Sequence, residues 1–307
     1  MLSVIIPAYN EELNVETAYR TISSLLSGEG IDFEIIFVND GSADATYSKI
    51  KALAQEEDFV RGINFSRNFG KESAISAGLA AAEGDCAVVI DCDLQHPPEK
   101  IIEMYRLWEQ GYEIVEGIKK SRGEEARMYG FAARVFYSLI SSTVGFDLSR
   151  ASDFKLLDRK VIDVLKTIPE RKGFFRAISY WVGYRKATVE FDVSRRVNGK
   201  SKWSTVSLIK YAVSNISAYS TAPMQIVTVL GVFMLIITCI FTVWALIDKF
   251  MGIAMEGMTT VILITIFIGS IIMISLGIIG YYIARIYEEI KGRPRYIISA
   301  SCRSKKD

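Results

Sequence analysis

Runs rich in β-branched residues alternate with helical periodicities over roughly the first 120 residues. Leu2 to Ala8, Phe33 to Val38, Val60 to Phe65 and Cys86 to Ile90 read as strands, with Glu113 to Glu116 a weaker fifth. Helical spacing fills the gaps, at about Leu13 to Leu26, Ala43 to Gln55, Glu72 to Ala82 and Pro98 to Glu109. That alternation predicts an α/β, Rossmann-like domain, an open parallel sheet flanked by helices. Ligands on such sheets lie beyond the carboxyl ends of the strands, so the polar residues just after each strand are the ones that matter.

The pattern changes character in the last third of the chain. Residues 223–247 and 257–284 carry no charge and are separated by only nine residues. Each run exceeds the ~20 residues a helix needs to cross a hydrocarbon core, which predicts a transmembrane hairpin with spans at about 223–247 and 258–284. Residues 195–222 hold five basic side chains and no acidic one, and the segment from Arg285 holds seven basic and three acidic. The positive-inside rule then places both ends of the hairpin in the cytoplasm, at the cell membrane. Val206, Ile209, Val213 and Ile216 recur at helical spacing within 204–222. This fits an amphipathic helix lying on the inner leaflet, and equally one packed on the soluble domain. Gly277, Gly280 and Ala284 give the second span a small-residue side that permits close packing, so a homo-oligomer is expected. The resulting order is a soluble domain over 1–203, an interfacial helix over 204–222, the hairpin over 223–285 and a basic tail over 286–307.

Charge sharpens this division. The 36 basic and 35 acidic residues leave a net +1, but residues 1–194 carry −7, 195–222 carry +5 and the tail +4. No nucleic acid is expected as a partner of so nearly neutral a chain. A single histidine, His96, excludes sites that need two, such as His-Glu-x-x-His zinc sites. Cys86, Cys92, Cys239 and Cys302 show no Cys-x-x-Cys spacing and read as reduced thiols. The chain opens on Met1-Leu-Ser-Val-Ile-Ile-Pro7, with no secretory signal expected there.

No Gly-x-Gly-x-x-Gly follows the first strand and no Gly-x-x-x-x-Gly-Lys-Ser/Thr occurs, so neither dinucleotide nor P-loop chemistry is expected. The fourth strand instead runs into Asp91-Cys92-Asp93-Leu94-Gln95. Two carboxylates at i and i+2 leaving a strand repel unless a cation lies between them. Mg²⁺ or Mn²⁺ bridging Asp91 and Asp93 to a diphosphate would satisfy that need. A solvated strand end before a helix is the bland alternative. Asp40, in Asn39-Asp40-Gly41-Ser42, reads as a turn or cap residue as readily as a ligand contact. Lys71 stands at a helix start where it could reach an anion. Arg127 and Arg134 share a helical face suited to a phosphate or simply to solvent.

Taken together, Val4-Ile-Ile-Pro-Ala-Tyr-Asn-Glu-Glu12, Val38-Asn-Asp-Gly-Ser42, Asn68-Phe-Gly-Lys-Glu-Ser73 and Asp91-Cys-Asp-Leu-Gln-His-Pro-Pro-Glu99 resemble glycosyltransferase family 2. Ser152-Asp-Phe-Lys-Leu-Leu-Asp-Arg159, Arg195-Arg-Val-Asn-Gly-Lys-Ser-Lys-Trp203, the spans and Gly280 to Pro294 extend the resemblance. Along the whole chain it is to polyprenyl-phosphate glycosyltransferases of the bactoprenol glucosyltransferase and dolichol-phosphate mannose synthase kind. The resemblance implies a GT-A nucleotide-sugar domain ahead of the hairpin. It implies that Pro7, Tyr9 and Glu11 cradle base and ribose, that Asp40 reads the base edge, and that Asp91, Asp93 and Gln95 hold the metal. It places Asp153 as a catalytic residue facing the acceptor, to accept the last proton, orient the acceptor or offset charge on the sugar ring. A helix-capping or salt-bridged acid near Lys155 and Arg159 is the bland alternative. Arg195 and Lys202 it assigns to phosphates. Cys92 stands where relatives often have alanine.

The reading that follows is inverting transfer of a hexose, first choice glucose from UDP-glucose, to undecaprenyl or another polyprenyl phosphate. GDP-mannose or another UDP-sugar is the alternative donor. A processive polysaccharide synthase would carry Gln-x-x-Arg-Trp and more spans, a transporter polar groups within its spans, and a membrane scaffold no ordered strand-end acids.

Overall fold

Leu2–Ala8 is buried along its whole length, as a strand must be when helices cover both faces of its sheet. This strand, β1, lies at the centre of the architecture. The computed structural model describes residues 1–120, 152–168, 175–192 and 257–303, with scattered positions from 227 to 251. The chain divides into one unit comprising Met1–Ala212 with Pro294–Asp307, and a second comprising Val213–Arg293.

In the first unit β1 is joined by β2 (Phe33–Asn39), β3 (Val60–Phe65), β4 (Cys86–Val89), β5 (Ile114–Lys119), β6 (Lys155–Asp158), β7 (Lys186–Phe191) and β8 (Ile298–Cys302). The sheet order is β7-β5-β6-β4-β1-β2-β3-β8. β1 to β4 are mutually parallel, with β2 and β3 on one side of β1 and β4 on the other. The strand order therefore reverses between β1 and β4, which opens a ligand crevice beyond their carboxyl ends.

Alternation along β1 sends Val4 and Ile6 to one face and Ile5 to the other. Over the first face lie α1 (Val15–Gly28), α2 (Thr46–Glu56) and α4 (Lys100–Glu109), and over the second α3 (Lys71–Ala81), α5 (Arg159–Thr167) and α6 (Phe175–Trp181). Val15, Ala18, Ile22 and Leu26 form the buried stripe of α1. Full burial of Ile22 or Leu26 is worth about 1.5–3 kcal/mol. Gly78 lets α3 press onto β1, because a Cβ there would overlap Ile5.

The four parallel strands stand within a residue of where their patterns predict them. The weak fifth strand runs further, to Lys119. α2 starts at Thr46 rather than Ala43, because the Asp44 carboxylate accepts the Thr46 N–H at 3.0 Å and holds a turn ahead of the helix. β6 is a correction to the expected parallel sheet. It is four residues long, too short for a pattern, and runs antiparallel between β4 and β5. Its register sets Val89 opposite Lys155, so residues just after β4 meet residues just before β6. That brings Asp153 to the Asp91 end of the sheet.

A second difference lies in the segment read as a basic tail. Ile298–Cys302 forms β8, antiparallel to β3 at the sheet edge. In the second unit, α7 (Met258–Ile290) continues about two turns past the predicted end of the span. Its Phe267–Ile290 stretch contains an 18-residue window of mean hydropathy 2.0, none of it buried, and is long and apolar enough to cross a membrane. Phe267, Met273, Ile274 and Ile283 on this helix are all exposed. Only scattered positions of the first predicted span are described, and the helix predicted over 204–222 lies outside the described residues.

Candidate active site

The loops after β1 and β2 are stitched together by short polar side chains. Asn10, at φ 53°, donates its N–H to Ser42 Oγ at 2.8 Å, and its side-chain oxygen accepts the Ala43 N–H at 2.9 Å. The Glu11 N–H reaches Thr46 Oγ1 at 2.8 Å, and the Glu11 carboxylate accepts from Asn14 Nδ2 at 2.6 Å. Pro7 is buried within β1, while Tyr9, the first residue beyond the strand, is 41% exposed at the crevice.

Asp40 leaves β2 almost wholly buried. Its two carboxylate oxygens accept the Phe69 N–H at 2.7 Å and the Gly70 N–H at 2.9 Å. Burial raises its pKa against those two bonds. Asp40 thus anchors the loop between β3 and α3, beside whatever else it contacts when ligand is bound. Gly41, at φ +63°, is needed for the same approach, since a Cβ would overlap the backbone of Arg67 and Asn68.

That anchored loop delivers Lys71, the first residue of α3. Its Nζ lies 2.6 Å from Asp91 Oδ1 and 2.8 Å from Asp153 Oδ2. Burial disfavours the ammonium, but the Asp153 and Asp91 charges outweigh it and raise its pKa. Asp153, 4% exposed, also receives a two-pronged Arg176 contact, Nε to Oδ1 at 2.6 Å and Nη2 to Oδ2 at 2.9 Å. Burial opposes ionisation of Asp153, yet Arg176 and Lys71 hold its carboxyl well below the usual range. Asp91 is likewise lowered, against burial, by Lys71 and His96.

Asp93 follows two residues on and accepts the Gln95 N–H at 3.2 Å. Leu94 between them takes φ 53°, a conformation that costs a branched side chain energy and turns the chain sharply at this point. His96 is buried, stacked on Phe154 with ring centroids 5.1 Å apart, and burial keeps its pKa low. Its Nδ1 has no hydrogen-bond partner among the described residues and stands 3.9 Å from Asp91 Oδ2.

The structure therefore brings Lys71, Asp91 and Asp153 into direct contact, with Asp93 and Gln95 on the same strand-end turn. Tyr9, Glu11 and Asp40 belong to the neighbouring loops. Arg127, Arg134, Arg195 and Lys202 lie outside the described residues. Sequence reasoning missed Arg176, Glu72 and Lys155. Arg176 sits in no motif, only on a short helix. Lys155 is buried against Glu116 at 3.0 Å and Ser179 Oγ at 2.8 Å, directly behind Asp153. Glu72 accepts the Phe175 N–H at 2.8 Å and so ties α3 to α6.

Burial and the Asp153 charge push the Glu72 carboxyl up to about 7. A folded pKa above the unfolded value of about 4.5 means that Glu72 destabilises the fold as pH rises through 4.5 to 7. Glu72→Gln is therefore expected to raise Tm more at pH 8 than at pH 5. Equal shifts at both pH values in thermal unfolding would contradict the assignment.

Asp91 and Asp93 present oxygen donors only, and Asp91 is ionised. Among the described residues no group of three or more His, Cys, Asp and Glu is gathered for a metal. Such a set does not fit a closed protein cage. It fits Mg²⁺ or Mn²⁺, which take one or two carboxylates and complete their shell with substrate phosphates and water.

The sequence model of Glycosyl transferase family 2 matches residues 3–165. A bactoprenol glucosyl transferase derived from the SfII prophage of Shigella flexneri is 36% identical over 305 residues, covering 98% of each chain. An uncharacterized glycosyltransferase of Synechocystis is 37% identical over 300 residues, covering 97% of this chain and 94% of its own. Among solved structures, glucosyl-3-phosphoglycerate synthase of Mycobacterium tuberculosis, in complex with Mn²⁺, UDP and glucosyl-3-phosphoglycerate, superposes with a TM-score of 0.48. It is 22% identical and covers 71% of this chain and 78% of its own. The matched segment runs from β1 through α5 and takes in the strand-end acids at Asp40, Asp91, Asp93 and Asp153, so the chain belongs to glycosyltransferase family 2.

Proposed function

We propose that this protein transfers glucose from UDP-glucose to a polyprenyl phosphate in the cell membrane, undecaprenyl phosphate in the first instance, with inversion at the anomeric carbon. The observation that carries the chemistry is the Asp91–Lys71–Asp153–Arg176 cluster at the carboxyl end of β4. The choice of donor and acceptor follows the bactoprenol glucosyl transferase that matches end to end.

In the reaction a phosphate oxygen of the acceptor attacks the anomeric carbon, and the bond from that carbon to the β-phosphate breaks. A phosphate monoester has a second pKa of about 6, so the nucleophile is already an anion near neutrality. Asp153, ionised and paired with two cations, is poorly placed to take a proton. Its work is to hold Arg176 and Lys71 in position, and to offset positive charge that develops on the sugar ring. Lys71, between the Asp91 and Asp153 carboxylates, can turn its ammonium toward the leaving diphosphate. Asp91, Asp93 and Gln95 would hold the divalent cation, which when bound stabilises the charge on that diphosphate as a Lewis acid.

Pro7, Tyr9, Glu11 and Asp40 are assigned to the nucleoside, and Arg127, Arg134, Arg195 and Lys202 to the acceptor phosphate. The polyprenyl tail stays in the bilayer, and a basic flank beside the spans would attract both its phosphate and anionic headgroups. A membrane-bound homo-oligomer, with its catalytic domain and both termini in the cytoplasm, completes the proposal.

The test is to incubate purified protein and Mn²⁺ with undecaprenyl phosphate and a panel of radiolabelled UDP- and GDP-sugars. Label from UDP-glucose is expected in the lipid phase. Label from GDP-mannose alone would overturn the donor assignment, and no transfer from any donor would overturn the function.

A further inference from the structure

We propose that the segment Arg295–Cys302, which follows the last span, positions the donor-site loop Ser66–Lys71, and that Tyr296 is the key positioning residue. The kinetic part of this inference rests on the proposed transfer reaction; the structural part does not.

β8 pairs with β3 from Gly62 to Phe65, and the register slips between Asn64 and Phe65, where β3 turns into the loop. Past the slip the contacts pass from strand to loop. Ile297 O accepts the Ser66 N–H at 3.0 Å, and Arg295 O accepts from Ser73 Oγ, in the first turn of α3, at 3.5 Å. The Tyr296 ring stacks on Phe65 at 5.0 Å and 12°, and Phe65 meets Phe69 edge-on at 5.8 Å. Arg67 lies over the other partner of that contact, 4.1 Å from the Phe69 centroid. The Phe69 and Gly70 N–H groups are those bound by Asp40, and Lys71 follows directly. Arg295 itself donates to Ser76 Oγ on α3 at 3.3 Å and to Ile168 O, at the end of α5, at 2.5 Å.

Covering a bare sheet edge is the simpler role for such a strand. Two features argue for more. Ile297 and Ile298 remain about half exposed, so the segment's apolar contact with the core is confined to Tyr296 and Cys302. Its most specific contacts fall on the groups that hold Lys71: Tyr296 stacks on Phe65, which meets Phe69 of the loop, and Arg295 bonds Ser76 of α3 as well as Ile168 at the end of α5. Lys71 must reach Asp91 and Asp153 within 2.6–2.8 Å, and a shift of about 1 Å in such a group can cost up to 10²-fold in rate.

The experiment compares full-length wild type, Tyr296→Ala and Tyr296→Phe in nanodiscs, reading kcat/KM for UDP-glucose, Tm, and hydrogen exchange of the 64–72 amides. Tyr296→Ala is expected to speed exchange at Phe69 and Gly70 and to lower kcat/KM by about 10-fold to 100-fold. Tyr296→Phe keeps the stack and is expected to restore both. If Tyr296→Ala does not fold, Tyr296→Leu takes its place with the same expectation. Unchanged exchange at Phe69 and Gly70 would overturn the inference, as would a fall in Tm with kcat/KM unchanged. Faster exchange in the variant alongside no transfer by wild type would uphold the positioning of the loop and sink the proposed reaction instead.

Discussion

Asp93→Ala is expected to lower transfer to polyprenyl phosphate by about 10³-fold, the scale on which loss of a group facing developing charge is felt. Asp93 lies two residues after Asp91, on a strand-end turn where Leu94 takes the left-handed conformation. Asp91 already shares one oxygen with Lys71 at 2.6 Å, so Asp93 is the carboxylate left to complete a two-acid grip on a divalent cation. Asp93 is half-buried and accepts the Gln95 N–H, so alanine also loses that turn bond, worth about 0.5–1.5 kcal/mol, and Tm should fall by only a few degrees. Mn²⁺ binding in the presence of UDP, followed by paramagnetic resonance, should weaken in parallel with turnover. Near-normal turnover, or normal Mn²⁺ binding beside lost turnover, would contradict the assignment of Asp93 to the metal.

Asp153→Asn is expected to lower kcat/KM by about 10²-fold to 10³-fold while leaving the acidic limb of the pH profile where it was. The carboxylate is nearly inaccessible and joins two cations; in the variant Lys71 keeps Asp91 at 2.6 Å, but the charge that held it beside Arg176 is gone. Breaking a fully buried pair costs about 3–5 kcal/mol. Here Lys71 is 40% and Arg176 28% exposed, so water screens part of that cost and a loss of about 1–3 kcal/mol is expected. The pH profile separates a positioning acid from a general base. If the acceptor phosphate ionises without help, kcat/KM falls below pH of about 6 in both proteins, because the limb belongs to the substrate. A limb present in wild type and absent from Asp153→Asn would instead make Asp153 the proton acceptor.

The four parallel strands and their helices were legible because alternation and helical spacing are local signals, and the strand-end acids follow from where ligands bind such sheets. β6 was not legible. Four residues, Lys155–Asp158, carry no period, and only pairing with β4 makes them a strand. For the same reason the contact of Asp153 with Lys71 and Arg176 could not be read from spacing. These residues lie far apart in the chain and meet through an antiparallel register. Arg176 is a lone arginine on a seven-residue helix, with nothing in its neighbours to mark it. β8 was hidden by its position after a span, where a basic composition suggests a solvated end, although Tyr296 to Ala300 has the β-rich make-up of an edge strand.

Lys71 illustrates how the structure changes a sequence argument. Two acids at i and i+2 leaving a strand call for a cation, and sequence alone points to a metal. An ammonium already bridges Asp91 and Asp153, so under the proposed function a metal would take the Asp91–Asp93 side of the turn.

The most direct measurement is a stoichiometric one. Purified protein in nanodiscs containing undecaprenyl phosphate receives UDP-glucose labelled in the sugar, and both UDP released and label in the lipid phase are followed with time. One UDP per lipid-linked glucose, with no UDP release when the lipid phosphate is omitted, is the predicted result. UDP release at the same rate without the lipid, or with all the label left in water, would contradict the account.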